Sequence, residues 1–106
     1  MKIVAVSACT AGIAHTYMAQ EAITEECKKR GIDCKVETQG GMGIENELDQ
    51  DEIDEADVAI LAIAVGIEME ERFEEKRDAG KVIEVNPSEA IKNTAALIDR
   101  AEELAK

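Results

Sequence analysis

The chain has 106 residues and contains few of the residue types that hold metal-bound or disulfide-linked domains together. It has no tryptophan and only 2% aromatic residues, so we expect a core of aliphatic side chains. Its three cysteines are an odd number without the spacing of metal ligands, and only one histidine accompanies them. These shortages argue against a disulfide framework and against a zinc site, and we expect no bound metal.

Long hydrophobic runs and positive charge are scarce as well. The longest apolar stretch, VAILAIAVGI, is well short of the roughly 20 residues that a membrane-spanning helix needs. The N-terminus, MKIVAVSA, lacks the pattern of a cleaved signal peptide. We therefore expect a cytoplasmic protein with no direct insertion into a membrane. The formal net charge of −12 repels phosphate backbones, so nucleic acid is not an expected partner.

What the chain does contain is an alternation of apolar strands with amphipathic helices. KIVAVSA and DVAILAIAV are almost continuously apolar, which is typical of strands that are covered on both faces of a sheet. IDCKVET alternates apolar and polar residues, which predicts a strand at a sheet edge with Glu37 on its polar face. KVIEVN is predicted to be the fourth strand.

Helices are predicted between these strands. Apolar residues recur at helical spacing over residues 15–30. Asp49 and Glu52 predict a capping box at the start of a short second helix. Asn86 and Glu89 predict the same motif at the start of a single last helix.

The order of these elements predicts a parallel sheet with right-handed crossovers. We expect residues 1–106 to form a single α/β domain, with a doubly wound four-stranded parallel sheet in the order 2-1-3-4 and helices on both faces. This fold is similar to the low-molecular-weight phosphatase and flavodoxin-like three-layer sandwiches. Segment 66–79 fits either a short helix or an ordered loop. Ligands of such folds bind at the carboxyl ends of the strands where the winding direction reverses, which here is beside the first strand.

Cys9 is predicted to lie at that position. The chain passes from Cys9 through TAGIA into the first helix. The first amide N–H groups of a helix have no partner within it, and together with the helix dipole they favour an anion, either a thiolate or a phosphoryl group. Gly12 lets the backbone approach such a group closely. The sequence therefore predicts a nucleophilic thiol beside a phosphate-binding loop.

The spacing of this loop is similar to the motif C-x5-R-S/T of the low-molecular-weight tyrosine phosphatases and the thioredoxin-linked arsenate reductases. Here the match is Cys9, TAGIA, His15 and Thr16, so His15 takes the place of the arginine. Without a bidentate guanidinium a phosphate is held more weakly, which argues against a phosphatase of the usual kind. A cysteine-dependent phosphatase or arsenate-reductase-like enzyme stays open as one alternative, and a non-catalytic flavodoxin-like binding module as another.

Three motifs resemble the cytoplasmic B component (enzyme IIB) of the fructose and fructose-like sugar phosphotransferase systems. CTAGIAHT is similar to that family's C-P-x-G-I/V-A-H-T, VETQGGMGIENEL to its VETQG followed by GIENEL, and residues 71–73 to its ERF. The motifs follow in the family's order and the resemblance covers the whole chain. There are two departures: Thr10 replaces the common proline, and AIAVGIEMEERF lacks the aspartate often found after the third strand.

The resemblance implies a phosphotransferase that carries a phosphoryl group on Cys9. In that family the cysteine receives the group from a phosphohistidine of the phosphorylated enzyme IIA and passes it to a sugar held by the membrane permease, enzyme IIC. A phosphohistidine donor needs no nucleotide, and the chain has no G-x-x-x-x-G-K-S/T loop, so we expect no cofactor.

Two groups of residues are expected to surround Cys9. The phosphate is expected to be held by the residues that follow it, through backbone amides and, at the last two, side chains: Thr10, Ala11, Gly12, Ile13, Ala14, His15 and Thr16. The residues that match the second family motif are expected to shape the site or to dock a partner: Glu37, Thr38, Gln39, Gly40, Glu45 and Asn46.

Overall fold

A five-stranded sheet is the framework of the protein. The computed structural model describes residues 1–9, 13–41 and 43–106. Its strands are β1 (Lys2–Ala8), β2 (Asp33–Gly40), β3 (Gly43–Glu45), β4 (Val58–Ile63) and β5 (Val82–Val85). Its helices are α1 (Ile13–Lys29), α2 (Gln50–Glu55), α3 (Glu74–Asp78), α4 (Pro87–Lys92) and α5 (Thr94–Ala105), with a 3-10 turn at Glu70–Phe73.

The strands lie in the order β3-β2-β1-β4-β5. β2, β1, β4 and β5 are parallel, and β3 is antiparallel to β2. The α/β class with a mainly parallel sheet is confirmed, but the expected four-stranded, all-parallel sheet is wrong. The glycine-rich stretch QGGMGIENEL predicts a loop after the second strand, whereas Gly43–Glu45 pairs with residues 38–40 of β2. A three-residue strand that begins at a glycine has too few side chains to show a periodic pattern.

β1 is central because it contributes to hydrophobic cores on both faces of the sheet. Ile3 and Ala5 point into a core that they share with α1, α4 and α5. Val4 and Val6 point into a second core with α2 and Phe73. Successive strand residues point to opposite faces, so a strand covered on both faces is apolar throughout. The long apolar runs therefore identify the middle of the sheet.

The C-terminal end of α1 and the start of α2 follow local sequence signals. Gly31 has a φ of 71°, the left-handed conformation that ends α1, and the N–H of Ile32 donates back to the carbonyl of Cys27 at 2.8 Å. The predicted capping box of α2 is confirmed. Asp49 Oδ1 accepts from the Glu52 N–H at 2.8 Å, and Glu52 Oε1 accepts from the Asp49 N–H at 3.0 Å.

The C-terminal helical region differs from the prediction in two ways. Asn86 Oδ1 accepts from the Ser88 N–H at 2.9 Å, but Glu89 accepts from the Asn93 side chain at 2.8 Å, so no capping box forms at the start of α4. The expected single helix is two helices, because the backbone leaves the helical conformation at Asn93, with a φ of −124° and a ψ of 45°. Of the helices in the described part of the chain, none has the length and apolar content to cross a bilayer.

Candidate functional site

Cys9 lies immediately after β1, at the edge of the sheet where the parallel strands end. Ala8, the last residue of β1, pairs with Gln39 of β2 on one side and with Ile63 of β4 on the other. The Cys9 thiol is free and its side chain is partly exposed. α1 begins four positions further on, at Ile13. The structure thus places a reachable thiol between the central strand and the start of the longest helix.

The predicted phosphate-holding residues are only partly described. Thr10, Ala11 and Gly12 lie outside the described residues. His15, in the first turn of α1, is exposed to solvent. No acidic residue lies in that turn, so nothing there repels an anion from the positive end of the helix dipole.

Thr16 is buried at the junction of α1 and β1. Its side chain is 2% exposed, and its carbonyl accepts a 2.8 Å hydrogen bond from Ser7 Oγ. Its own hydroxyl has no partner among the described residues. The hydrogen bond from Ser7 fixes the start of α1 against the C-terminal end of β1. A phosphate-holding role for Thr16 and for His15 stays a prediction.

A cleft of about 420 Å³ opens beside Cys9. The β2–β3 hairpin contributes Gln39 and Gly40 to its lining, and the segment after β4 contributes Gly66 and Glu68. None of the described lining residues is basic, and Glu68 is the only one with a formal charge. An anion in this cleft would therefore depend on backbone N–H groups and helix dipoles more than on cationic side chains.

Glu37 does not line the cleft but forms a buried ion pair behind it. Its side chain is 0% exposed and Arg72 is 9% exposed. Arg72 Nη1 donates to Glu37 Oε1 at 2.8 Å and Nη2 donates to Oε2 at 3.0 Å, which is a bidentate contact. The prediction that Glu37 faces solvent from an edge strand is wrong. β3 extends the sheet beyond β2 at this end, and the region around Arg72 covers the face to which Glu37 points.

The environment of Glu37 favours its charged form. Burial raises the pKa of this carboxyl, but hydrogen bonds from Arg72, from the Leu48 N–H and from Gln39 outweigh burial and hold the pKa below its usual range. The pKa of Arg72 is raised in turn, chiefly by its hydrogen bonds to Glu37. Both groups are therefore charged at neutral pH.

Gln39 connects this ion pair to the cleft. Its Nε2 donates to Glu37 Oε2 at 2.7 Å and to the carbonyl of Glu68 at 3.2 Å. Its Oε1 accepts from the N–H of Glu68 at 2.8 Å. The side-chain amide of Gln39 thus binds the backbone of Glu68 in both directions, and this joins the two walls of the cleft.

The remaining residues of the second motif lie further from Cys9. Thr38 is buried, and its hydroxyl has no hydrogen-bond partner among the described residues. Glu45 accepts a hydrogen bond from the Tyr17 hydroxyl, which links the end of β3 to α1 and raises the pKa of Tyr17. Asn46 follows β3 with a φ of 54°. Thr38, Glu45 and Asn46 are not among the lining residues of the cleft, so their expected site-shaping role stays a prediction.

Sequence reasoning missed the contribution of Arg72. The motif ERF was noted, but its arginine was not paired with any acidic residue. Arg72 also donates to the carbonyls of Met69 at 2.8 Å and Leu48 at 2.6 Å, and its guanidinium lies 5.3 Å from the centre of the Phe73 ring. The available signal was that ERF contains an arginine and VETQG a glutamate, but nothing in the sequence indicates that these two side chains are in contact.

Fold and site together define a class of protein: an α/β domain with a mainly parallel sheet and a partly exposed cysteine in its strand-to-helix connection, beside a cleft without basic side chains among its described residues. Comparison with known proteins narrows this class. Residues 4–100 match the family described as "PTS system, Lactose/Cellobiose specific IIB subunit". The chain is 47% identical to the "PTS system fructose-like EIIB component 2" of Escherichia coli K12 over 102 residues, which cover 95% of this chain and 92% of that protein.

Solved structures agree with this assignment. A domain of a fructose-specific IIABC component from Borrelia burgdorferi has a TM-score of 0.85 and 49% identity, covering 94% of this chain and 91% of that one. The enzyme IIB subunit of the PTS system from Escherichia coli K12 has a TM-score of 0.87 and 42% identity, covering 97% and 92%. The chain belongs to the IIB family of the sugar phosphotransferase system, and the resemblance seen in its motifs is confirmed.

Proposed function

We propose that this protein is a cytoplasmic phosphoryl carrier in which Cys9 is the residue that holds the phosphoryl group. The observation that carries the proposal is the position of the Cys9 thiol, partly exposed between the end of β1 and the start of α1. A helix N-terminus stabilises negative charge, so this position suits both a thiolate and a phosphoryl group bound to sulfur. We assign the whole described chain to one IIB domain of the fructose type.

The proposed reaction has two transfers at the same sulfur. First, the Cys9 thiolate attacks the phosphorus of a phosphohistidine on the A component; a P–S bond forms, the P–N bond breaks, and the histidine nitrogen keeps the electron pair. Then a sugar hydroxyl in the membrane C component attacks the phosphorus; a P–O bond forms, the P–S bond breaks, and the hydroxyl proton is released. Cys9 returns to a thiolate, so the protein is unchanged after each cycle. Catalysis rests on alignment and electrostatics.

The residues after Cys9 are proposed to hold the group between transfers. Backbone amides of residues 10–14 would surround the phosphoryl oxygens, and the His15 and Thr16 side chains would support them. The absence of basic side chains from the described lining of the cleft supports a weak grip. A weak grip suits a carrier, because a group that is bound too tightly is not passed on.

The proposed substrate class is fructose or a fructose-like sugar. The family that matches is described by lactose and cellobiose, whereas the curated relatives at 44–47% identity are named fructose-like. Those relatives share nearly half of their residues with this chain and are individual proteins, whereas the family description covers a broader group, so their names are the better guide. The proposed partners are a phosphorylated enzyme IIA and a membrane enzyme IIC.

A phosphatase using the same cysteine is less well supported. Such an enzyme needs an arginine to grip the phosphate bidentately. The described lining of the cleft contains none, and the guanidinium of Arg72 is already bound to Glu37 and to the carbonyls of Leu48 and Met69. This geometry favours transfer to an acceptor over hydrolysis.

The test is uptake of a phosphoryl group from a phosphorylated fructose-type A component, followed by intact mass and peptide mapping. We expect one phosphoryl group on Cys9 and none on Cys9→Ala. Cys34→Ala is the matched control, because Cys34 is also partly exposed but lies on β2 away from the cleft, and it should be labelled like the wild type. A phosphoryl group on His15, or uptake by Cys9→Ala, would refute the proposal.

A further inference from the structure

The Glu37–Arg72 pair is unusual among the ion pairs of the described residues, because both of its side chains are buried. Burying two opposite charges costs desolvation that their attraction often only balances, so such a pair is weak evidence for a purely stabilising role. The other hydrogen-bond partners of Glu37 and Arg72 therefore say more about the role of the pair than its burial does.

Those hydrogen bonds lead to chain segments outside the regular helices and strands. Leu48, just before α2, donates its N–H to Glu37 at 2.7 Å and accepts from Arg72 at 2.6 Å through its carbonyl. The carbonyls of Glu68 and Met69, in the connection after β4, accept from Arg72 at 3.4 and 2.8 Å. The pair thus ties the end of β2 to two connections that no helix or strand ladder holds.

The connection after β4 forms one wall of the Cys9 cleft, to which it contributes Gly66 and Glu68. Gln39, on β2, lines the other wall of the cleft. Because Glu37 is a carboxylate, its Oε2 can only accept, so it turns the Nε2 of Gln39 towards itself and leaves Oε1 to accept from the Glu68 N–H. The charge on Glu37 therefore sets how the two walls are joined.

We infer that Glu37 and Arg72 form a positioning unit for phosphoryl transfer at Cys9, acting through Gln39 on the backbone of segment 65–68. This inference rests on the proposed function. The pair does not touch the transferred group: Glu37 is fully buried, and neither Glu37 nor Arg72 lines the cleft. It holds one wall of the cleft that Cys9 lines. In-line transfer is sensitive to such placement, since a shift of about 1 Å can slow a reaction about 100-fold.

The experiment measures single-turnover transfer from a phosphorylated A component to Cys9 over a range of donor concentrations. The variants are Glu37→Gln, Gln39→Ala and the double variant, each assayed well below its own melting temperature. We expect each single variant to lower the maximal rate about tenfold or more while the half-saturating donor concentration stays unchanged. A general loss of structure would lower both affinity and labelled fraction.

The double variant distinguishes positioning from a direct role. If Glu37 acts through Gln39, Glu37→Gln has no further effect on the rate once Gln39→Ala is present, so the two changes are not additive. Arg72→Lys, which keeps the charge but loses the bidentate fork, replaces Glu37→Gln if the latter does not fold. Arg30→Gln is the matched control, because Arg30 also binds several carboxylates but lies just after α1, on the opposite face of the sheet.

Two results would overturn the inference while leaving the carrier proposal intact. One is wild-type maximal rates in folded Glu37→Gln and Gln39→Ala proteins. The other is additive losses in the double variant. Absence of uptake by the wild-type protein would instead refute the carrier function, and this inference with it.

Discussion

Two arginines join separate segments of this molecule on opposite faces of the sheet, and they do so in different surroundings. Arg72 binds Glu37 and three backbone carbonyls, which belong to two irregular connections in the interior. Arg30, just after α1, donates to Glu26 at 2.8 Å, to Asp99 at 2.8 Å and to Glu102 at 2.6 Å, and so clamps α1 to α5 at the surface. Both use the guanidinium fork to join several elements.

The difference between the two clusters follows from what each has to hold. Near Arg30 the chain is helical, its backbone groups are already paired, and Asp99 and Glu102 are 69% and 41% exposed. Near Arg72 the connections around the cleft have backbone groups that no ladder satisfies, and burial makes unpaired groups costly. The buried charge is therefore placed where the cleft beside Cys9 interrupts regular structure.

Removing Arg72 should have the largest effect on stability. Arg72→Ala leaves Glu37 buried without its partner, and we expect the free energy of unfolding to fall by about 3–5 kcal/mol in denaturant titrations. That is a large share of the roughly 5–15 kcal/mol of a typical domain. The double variant Glu37→Gln/Arg72→Met should lose less, because neither charge remains. A loss below about 1 kcal/mol for Arg72→Ala would show that the pair is not a strong contact.

Acid should weaken the buried cluster in a defined direction. The pKa of Glu37 is lower in the folded protein than in the unfolded chain, where a glutamate has a pKa of about 4.3. Its stabilising contribution is therefore complete above that pH and is lost as the pH falls through the folded pKa. We expect the stability difference between wild type and Glu37→Gln to be constant above about pH 5 and to shrink as the pH falls below about 4 in urea titrations. A difference that stays constant or grows on acidification would contradict the assignment.

Removing Arg30 should have the smallest effect. Asp99 and Glu102, two of the three carboxylates that bind Arg30, are open to solvent, and such ion pairs contribute little and are screened by salt, so Arg30→Gln should lower the melting temperature several times less than Arg72→Ala. The loss of melting temperature in Arg30→Gln should become smaller in added salt, whereas the loss in Arg72→Ala should persist. Equal deficits with equal salt dependence would remove the distinction between the two clusters.

The sequence predicted those parts of the fold that depend on local pattern. β1 and β4 were recognised because strands covered on both faces are apolar throughout, and α2 was placed by the reciprocal hydrogen bonds of Asp49 and Glu52. Cys9 was placed at the sheet edge because the first strand ends there and the connection to the first helix begins. Each of these features is determined within a few residues of chain.

What the sequence did not predict depends on distant residues. Alternation along β2 put Glu37 towards solvent, but its partner Arg72 is 35 positions away and the strand that extends the sheet beside it has only three residues. Segment 66–79 was ambiguous because in its middle only Arg72 and Phe73 are buried, which shows no helical period. The break between α4 and α5 at Asn93 also leaves no signal in the sequence, since apolar residues continue at helical spacing on both sides of it.

The measurement that most directly tests the carrier proposal is the return of the phosphoryl group. Wild-type protein labelled on Cys9 is isolated and mixed with an excess of unphosphorylated A component, and both proteins and inorganic phosphate are followed in time. A carrier passes the group back, so we predict that it moves to the A component and that little inorganic phosphate appears. Release of inorganic phosphate at the same rate with and without the A component would contradict the proposal and indicate a phosphatase.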